Sequence, residues 1–191
     1  MQVLERTKEQ IQTKSERMND FLRMEYLEAC TKQNIDISAM KYCSNELSKL
    51  YEKNHMYSEA IKYLNKLKEI SPSQKERNQV YKKEVELLIK GGFYEKAEAM
   101  YNSLFKSLAE EKYELNREMI ETYKNEASNF EKANKNAGLL KVYEKLIHHL
   151  NRAEKTEIKK KMFVLYKRLG KVKESIEIER DLERDSNQVI R

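Results

Sequence analysis

Four bulky side chains, Tyr51, Leu88, Phe130 and Tyr166, head four stretches of sequence that repeat one another in phase. Nine residues after each comes Ala60, Ala97, Leu139 or Ser175, and seven beyond that stands a leucine every time: Leu67, Leu104, Leu146 and Leu182. Between those two markers lie Leu64, Tyr101 and Tyr143, with only Glu179 breaking the series. Four residues after each anchor come His55, Gly92, Asn134 and Gly170. Glycine and asparagine tolerate the left-handed conformation that ends a helix, so His55 is the exception. Residues at i, i+4 and i+7 share one helical face. The pattern therefore predicts four pairs of antiparallel helices, the first helix of each ending near its anchor and the second carrying the next apolar stripe.

The composition supports long helices with short connections, because the chain of 191 residues has only four glycines and one proline to interrupt them. An all-β domain is disfavoured on the same ground. A charged fraction of 37% and a mean hydropathy of −0.91 could suit a disordered chain, but 39% of residues are apolar and twelve are tyrosine. Disorder is expected only at the ends.

At 37, 42 and 36 residues, the anchor spacings are uneven and predict elongated helices or longer connections between blocks. Ahead of the blocks, Leu22, Tyr26 and Ala29 echo a second helix, and Leu4, Ile11 and Met18 recur every seven residues. Three such matches do not make a coiled coil. Residues 1–36 read as a long N-terminal capping helix, with a break at Asn34 to Ser38, before an array over 37–189 and a C-terminal end at 190–191.

These residues resemble the tetratricopeptide repeat (TPR) family, whose pattern places an aromatic, Leu-Gly and Tyr on the first helix, Ala-x3-Phe on the second and Pro at its close. The best match runs over 41–74, where Leu47, Tyr51, Tyr57, Ala60, Leu64, Leu67 and Pro72 fall at the family's offsets, and Ser44 and Ser48 depart. The block 78–111 keeps Tyr81, Leu88, Gly92, Tyr94, Ala97, Tyr101 and Leu104 but has Glu84 at a leucine position. Blocks 120–153 and 156–189 follow, with Glu126 departing in one and Lys159, Ser175 and Glu179 in the other. The resemblance implies an all-α fold, a right-handed α-solenoid of about four TPR-like hairpins behind the N-terminal helix.

It also implies function by binding. Carrying the family's ligand-facing positions onto this chain gives Asn45 and Lys49, Lys82 and Glu86, Lys124 and Ser128, and Lys160 and Val164. The family's grip on an acidic C-terminal carboxylate is not carried over, because Lys83, Glu121 and Asn125 break its order. The expected role is an adaptor or scaffold that holds a peptide or helix of another protein. Two alternatives stand beside it, a peptide-responsive regulatory sensor and an RNA-binding helical repeat. The last block ends without a further helix to cover it, so Ile176, Ile178 and Leu182 are expected to be partly exposed and to support self-association.

No catalytic constellation is legible. Gly91-Gly92 lacks the strand before it and the Lys-Ser/Thr after it that a phosphate loop needs. His148 and His149 are adjacent, point about 100° apart on a helix and cannot share a metal as an i, i+4 pair can. The expectation is no enzyme, no metal and no cofactor. The net charge of +6 comes from 38 basic residues interleaved with 32 acidic ones, which argues against nucleic acid even at the basic stretch from Lys159 to Lys173. No run of about 20 apolar residues could span a bilayer, and no hydrophobic leader occupies the first ten residues. Cys30 and Cys43 read as reduced thiols, and the protein as cytoplasmic.

Overall fold

The computed structural model describes residues 5–107 and 111–189, with side chains described as far as Asp185. Ten α-helices make up these residues: α1 Lys8–Ser15, α2 Asp20–Thr31, α3 Ile37–Lys53, α4 Tyr57–Ile70, α5 Gln74–Lys90, α6 Tyr94–Ser107, α7 Lys112–Lys132, α8 Asn136–Leu146, α9 Arg152–Arg168 and α10 Val172–Val189. No strand occurs among the described residues. None of these helices is long and apolar enough to cross a membrane. The chain divides into two compact units, 1–109 and 110–191.

Each hairpin turn is built in the same way, and the anchor residue is part of it. The Tyr51 carbonyl accepts from Met56 N–H at 2.8 Å, as Leu88 does from Phe93 at 2.8 Å, Phe130 from Lys135 at 2.9 Å and Tyr166 from Lys171 at 2.9 Å. One residue inward, His55, Gly92, Asn134 and Gly170 each donate three residues back, and all four have positive φ, at 58°, 75°, 54° and 69°. This pair of bonds is the Schellman arrangement, which satisfies the last carbonyls of the first helix. The fixed distance from anchor to turn is therefore a hydrogen-bonding requirement. α4 and α8 start without a side-chain cap, as does α7, whereas Asp36, Ser73 and Asn151 cap α3, α5 and α9.

In the first unit, α2 packs on α3, α3 on α4, α4 on α5 and α5 on α6. Tyr51 stacks on Tyr63, ring centroids 5.7 Å apart, and both hydroxyls donate to the Glu28 carboxylate on α2. In the second unit, α7 packs on α8, α8 on α9 and α9 on α10. Tyr123, Leu140, Val142 and Leu146 lie at its centre, and Tyr166 donates to Glu144 on α8 at 3.1 Å. A tyrosine on a first helix thus reaches a glutamate on the preceding second helix in both units. Phe130 is the least buried of the four anchors, held against Gly138, where an added Cβ would stand 2.6 Å from its ring.

Two expectations are revised, the single N-terminal helix and the exposure of Ile178. The long helix expected over 1–36 is two helices, because Asn19 caps a fresh start at Asp20 after the chain breaks at residues 16–19. These two contact each other and α3, so they make a further, shorter pair. The break after α2 falls at residues 32–36, two residues ahead of the expected Asn34 to Ser38, because Asp36 caps α3 at Ile37; Ile11 is fully buried, and Leu4 lies outside the described residues together with 190–191. The 42-residue spacing is taken up largely by α7, which has 21 residues against 17 in α3, α5 and α9. At the last block, Ile178 is buried and Leu182 half-buried, leaving Ile176 as the exposed member of that trio.

Two departures from the repeat pattern are accounted for by their partners. Glu84 is buried and ion-paired to Lys68 of α4, and buried Glu126 accepts from Asn129 at 3.1 Å. A carboxylate can occupy a leucine phase only when such partners offset its desolvation. Ser44 is fully buried with its hydroxyl unpartnered.

Candidate interaction site

Two stripes of side chains face each other across the first helices of adjacent hairpins in the first unit. On α3 they are Ser38, Lys41, Tyr42 and Asn45, and on α5 Glu76, Gln79, Val80 and Lys83. Each set runs i, i+3, i+4, i+7, the spacing of one helical face. Between them lies a pocket of about 550 Å³, floored by Leu64 and Leu67 of α4 and edged by Lys8 of α1. An ion pair from Lys41 to Glu76, at 2.8 Å, joins the two stripes.

Below the pocket, a second ionic cluster locks α3 to α5. Lys83 reaches Glu52 at 2.9 Å and Glu86 at 2.9 Å, and Lys90 reaches Glu52 at 2.6 Å and also contacts Glu86. Burial pushes the Glu52 carboxyl up, but the bonds from Lys90 and Lys83 outweigh it and hold the group below its ordinary range. Burial likewise opposes the charge on Lys90, and its bonds to Glu52 and Glu86 raise it all the same. Behind Tyr42, its hydroxyl meets Ser15 of α1 at 3.1 Å and Arg23 of α2 at 3.3 Å, and Arg23 also pairs with Glu46 at 2.9 Å. The wall of the pocket is therefore fixed from both sides.

The positions expected from the family pattern divide. Asn45 is exposed and lines the pocket. Lys49, Lys124 and Lys160 are exposed but lie against Glu46 at 2.8 Å, Glu154 at 2.9 Å and Glu157 at 2.8 Å. Glu86 belongs to the α3–α5 cluster, Lys82 and Ser128 are half-buried, and Val164 is exposed. Sequence reasoning missed Lys8, Lys41, Tyr42, Gln79 and Lys83. Lys41, Tyr42, Gln79 and Lys83 fall on the doubled i, i+3, i+4, i+7 pattern, which resembles any solvated helix face until α3 and α5 are brought together, and Lys8 on α1 lies outside it.

A second pocket of the first unit, about 770 Å³, lies between α4 and α6 beside α5, with Ile61, Leu88, Phe93, Met100 and Leu104 in its lining. The basic stretch of α9 is largely compensated: Lys159 pairs with Asp185 at 2.8 Å, Lys160 with Glu157, and Lys161 lies 3.7 Å from Glu131.

No family model matches the chain, and no curated protein matches it. Among solved structures it is similar to BtubC (BKLC) from P. vanneervenii, at 13% identity over 95% of this chain and 80% of that one, with a TM-score of 0.38. It is also similar to a candidate kinesin light chain of Podosopora anserina with nearly identical TPR-like repeats, at 13% identity over 96% and 95% of the two chains and a TM-score of 0.42. A single-substitution form of that protein gives 14% identity, 95% and 93% coverage and a TM-score of 0.43. Scores this low carry no argument of their own, so the assignment rests on the hairpins. Their repeat positions Leu47, Tyr51, Ala60, Leu64, Leu88, Ala97, Tyr101, Leu139 and Tyr143 are buried, and all four turns share one hydrogen-bond scheme. The chain is an all-α succession of TPR-like helical hairpins.

Proposed function

We propose that this protein is an interaction module whose α3–α5 face binds a peptide segment of another protein, one that carries acidic side chains beside an apolar one. The observation that carries the reading is the pocket between the two stripes. Its lining holds Lys8, Lys41 and Lys83 over a floor of Leu64 and Leu67; Lys41 is paired with Glu76 and Lys83 with Glu52 and Glu86, so an incoming carboxylate meets Lys8 and competes with those glutamates for the other two. Exchangeable lysine contacts over an apolar floor favour such a segment through charge and burial together. The helices that carry the rim are already tied to each other, so little ordering cost falls on binding. A nucleic-acid reading is disfavoured by the compensated lysines of α9, since phosphate binding needs a surface of one sign.

The test is selection of random displayed peptides on the immobilised full chain. Enriched peptides should be rich in Asp and Glu, and their binding should weaken at least tenfold when Asn45→Glu and Gln79→Glu are combined. Both residues are exposed, so helicity should be retained. The pair Ser58→Glu with Ser103→Glu, at the other pocket, should leave binding unchanged. Equal loss in both pairs, or no loss in the first, contradicts the proposal.

A further inference from the structure

The α4–α6 pocket shares no lining residue with the peptide site proposed above, and it gathers apolar side chains from three elements: Ile61 of α4, Leu88 of α5, and Met100 and Leu104 of α6. One buried charge stands among them. Glu84 of α5 lines the pocket although only 6% of its side chain is exposed. Lys68 donates to Oε2 and takes no part in the lining, and no hydrogen bond reaches Oε1 among the described residues. A carboxylate offers about four acceptor positions on its two oxygens, so a single bond leaves acceptor capacity over. We propose that this pocket is a binding site for a small organic cation, an ammonium group on an apolar stem, with the ammonium donating to Glu84 and the stem lying on Ile61, Leu88 and Met100.

Size and charge both favour that class. The space of about 770 Å³ falls within the roughly 300–1,000 Å³ of small-molecule sites, in which an apolar lining supplies burial and a few polar groups fix orientation. The other charged residue of the lining, Lys96, is exposed and has its amine over the Phe93 ring. Salt screens an exposed charge far more than a buried one, so Glu84 sets the sign that a ligand meets inside. Lys68 balances Glu84 through Oε2, and the pair turns its negative end to the pocket. An anion is repelled there, and a neutral ligand gains the burial without the charge-assisted bond. Nor does the hairpin require a charge at this phase of the repeat, since Leu47 and Met162 are buried at it in two other blocks.

The test is methyl NMR of the full chain, labelled with ¹³C at its isoleucine, leucine and methionine methyls. The probes are 2-phenylethylamine and 2-phenylethanol, which share a carbon skeleton and differ in the charge. The amine should shift the Ile61, Leu88 and Met100 signals along one saturable curve at neutral pH and physiological salt. Leu64 and Leu67, on the floor of the other pocket, should stay in place. The alcohol should bind the same methyls about tenfold more weakly.

Glu84→Gln should remove the difference between the two probes. Because that change also strands Lys68, Ala99→Arg serves as a second variant: it sets a cation on an exposed residue of the lining and should weaken the amine more than the alcohol. Gln79→Ala, at the α3–α5 pocket, should change neither. Equal binding of amine and alcohol by the wild-type chain, or amine shifts that fail to saturate or that fall outside this pocket, overturns the proposal.

Discussion

Replacing Lys68 by methionine removes the counter-charge of Glu84 and nothing else of its size. The Glu84 side chain is 6% exposed and that of Lys68 16%, so the two partners are not equivalent. A stranded Glu84 keeps only a narrow path to water at the edge of the α4–α6 pocket, so the loss falls toward the lower end of the about 3–5 kcal/mol that an uncompensated buried partner costs. Lys68 also lies 4.5 Å from the Tyr81 ring, a contact that contributes about 0.5–1 kcal/mol. Lys68→Met should therefore destabilise the chain by about 3–4 kcal/mol. Glu84→Leu should cost only about 1–2 kcal/mol, because a long lysine can turn its amine outward. Leucine is also the residue that block one carries at this phase, as buried Leu47. The double variant should lie within about 1 kcal/mol of wild type or above it, giving a large favourable coupling in the cycle. Urea unfolding followed by far-UV circular dichroism measures all three. A Lys68→Met chain within about 0.5 kcal/mol of wild type, or the reverse order of the single variants, refutes the reasoning.

Ser44→Ala should be neutral or stabilise by up to about 1 kcal/mol in the same assay, since it removes an unpartnered buried hydroxyl and favours the helix. Gly92→Ala should cost about 1 kcal/mol through its positive φ alone, because no atom lies within 4 Å of the added Cβ, whereas Asn134→Gly should change little. Glu52 is held below its ordinary value of 4.5 in the folded chain, so its contribution is present above that pH and is lost as pH falls through the lower folded value. Acid titration of stability should accordingly show Glu52→Gln losing less than wild type between neutral pH and about pH 3; equal losses would remove Glu52 from the acid response.

The repeat was legible because two separate physical requirements share its period. Burial fixes Tyr51, Leu88 and Tyr166, and the Schellman bonds fix the turn residue four places on, so both signals survive wide variation elsewhere. The N-terminal pair was hidden for the converse reason. Its first helix is short and keeps only Ile11 and Ser15 buried, too few to show a period. Its second helix does carry the pattern: Tyr26, Leu27 and Cys30 stand 37 residues ahead of Tyr63, Leu64 and Leu67, the Tyr51–Leu88 spacing, and all six are buried. Glu84 looked like a lapse in the repeat because its partner Lys68 lies on another helix, and Glu126 because an amide three residues on is common on any helix and does not signal burial. Of the pocket lining, Asn45 was named from the sequence because it falls at a family position. Lys41, Tyr42, Gln79 and Lys83 were not, since lysines on solvated helices are common and only the juxtaposition of α3 and α5 sets these apart.

Lysine-reactive footprinting of the full chain, with and without a peptide obtained by the display selection, tests the working face most directly. The account predicts slower labelling at Lys8, Lys41 and Lys83, which line the α3–α5 pocket, and unchanged labelling at Lys96 of the α4–α6 pocket. Protection of Lys96 with the other three unchanged would contradict it.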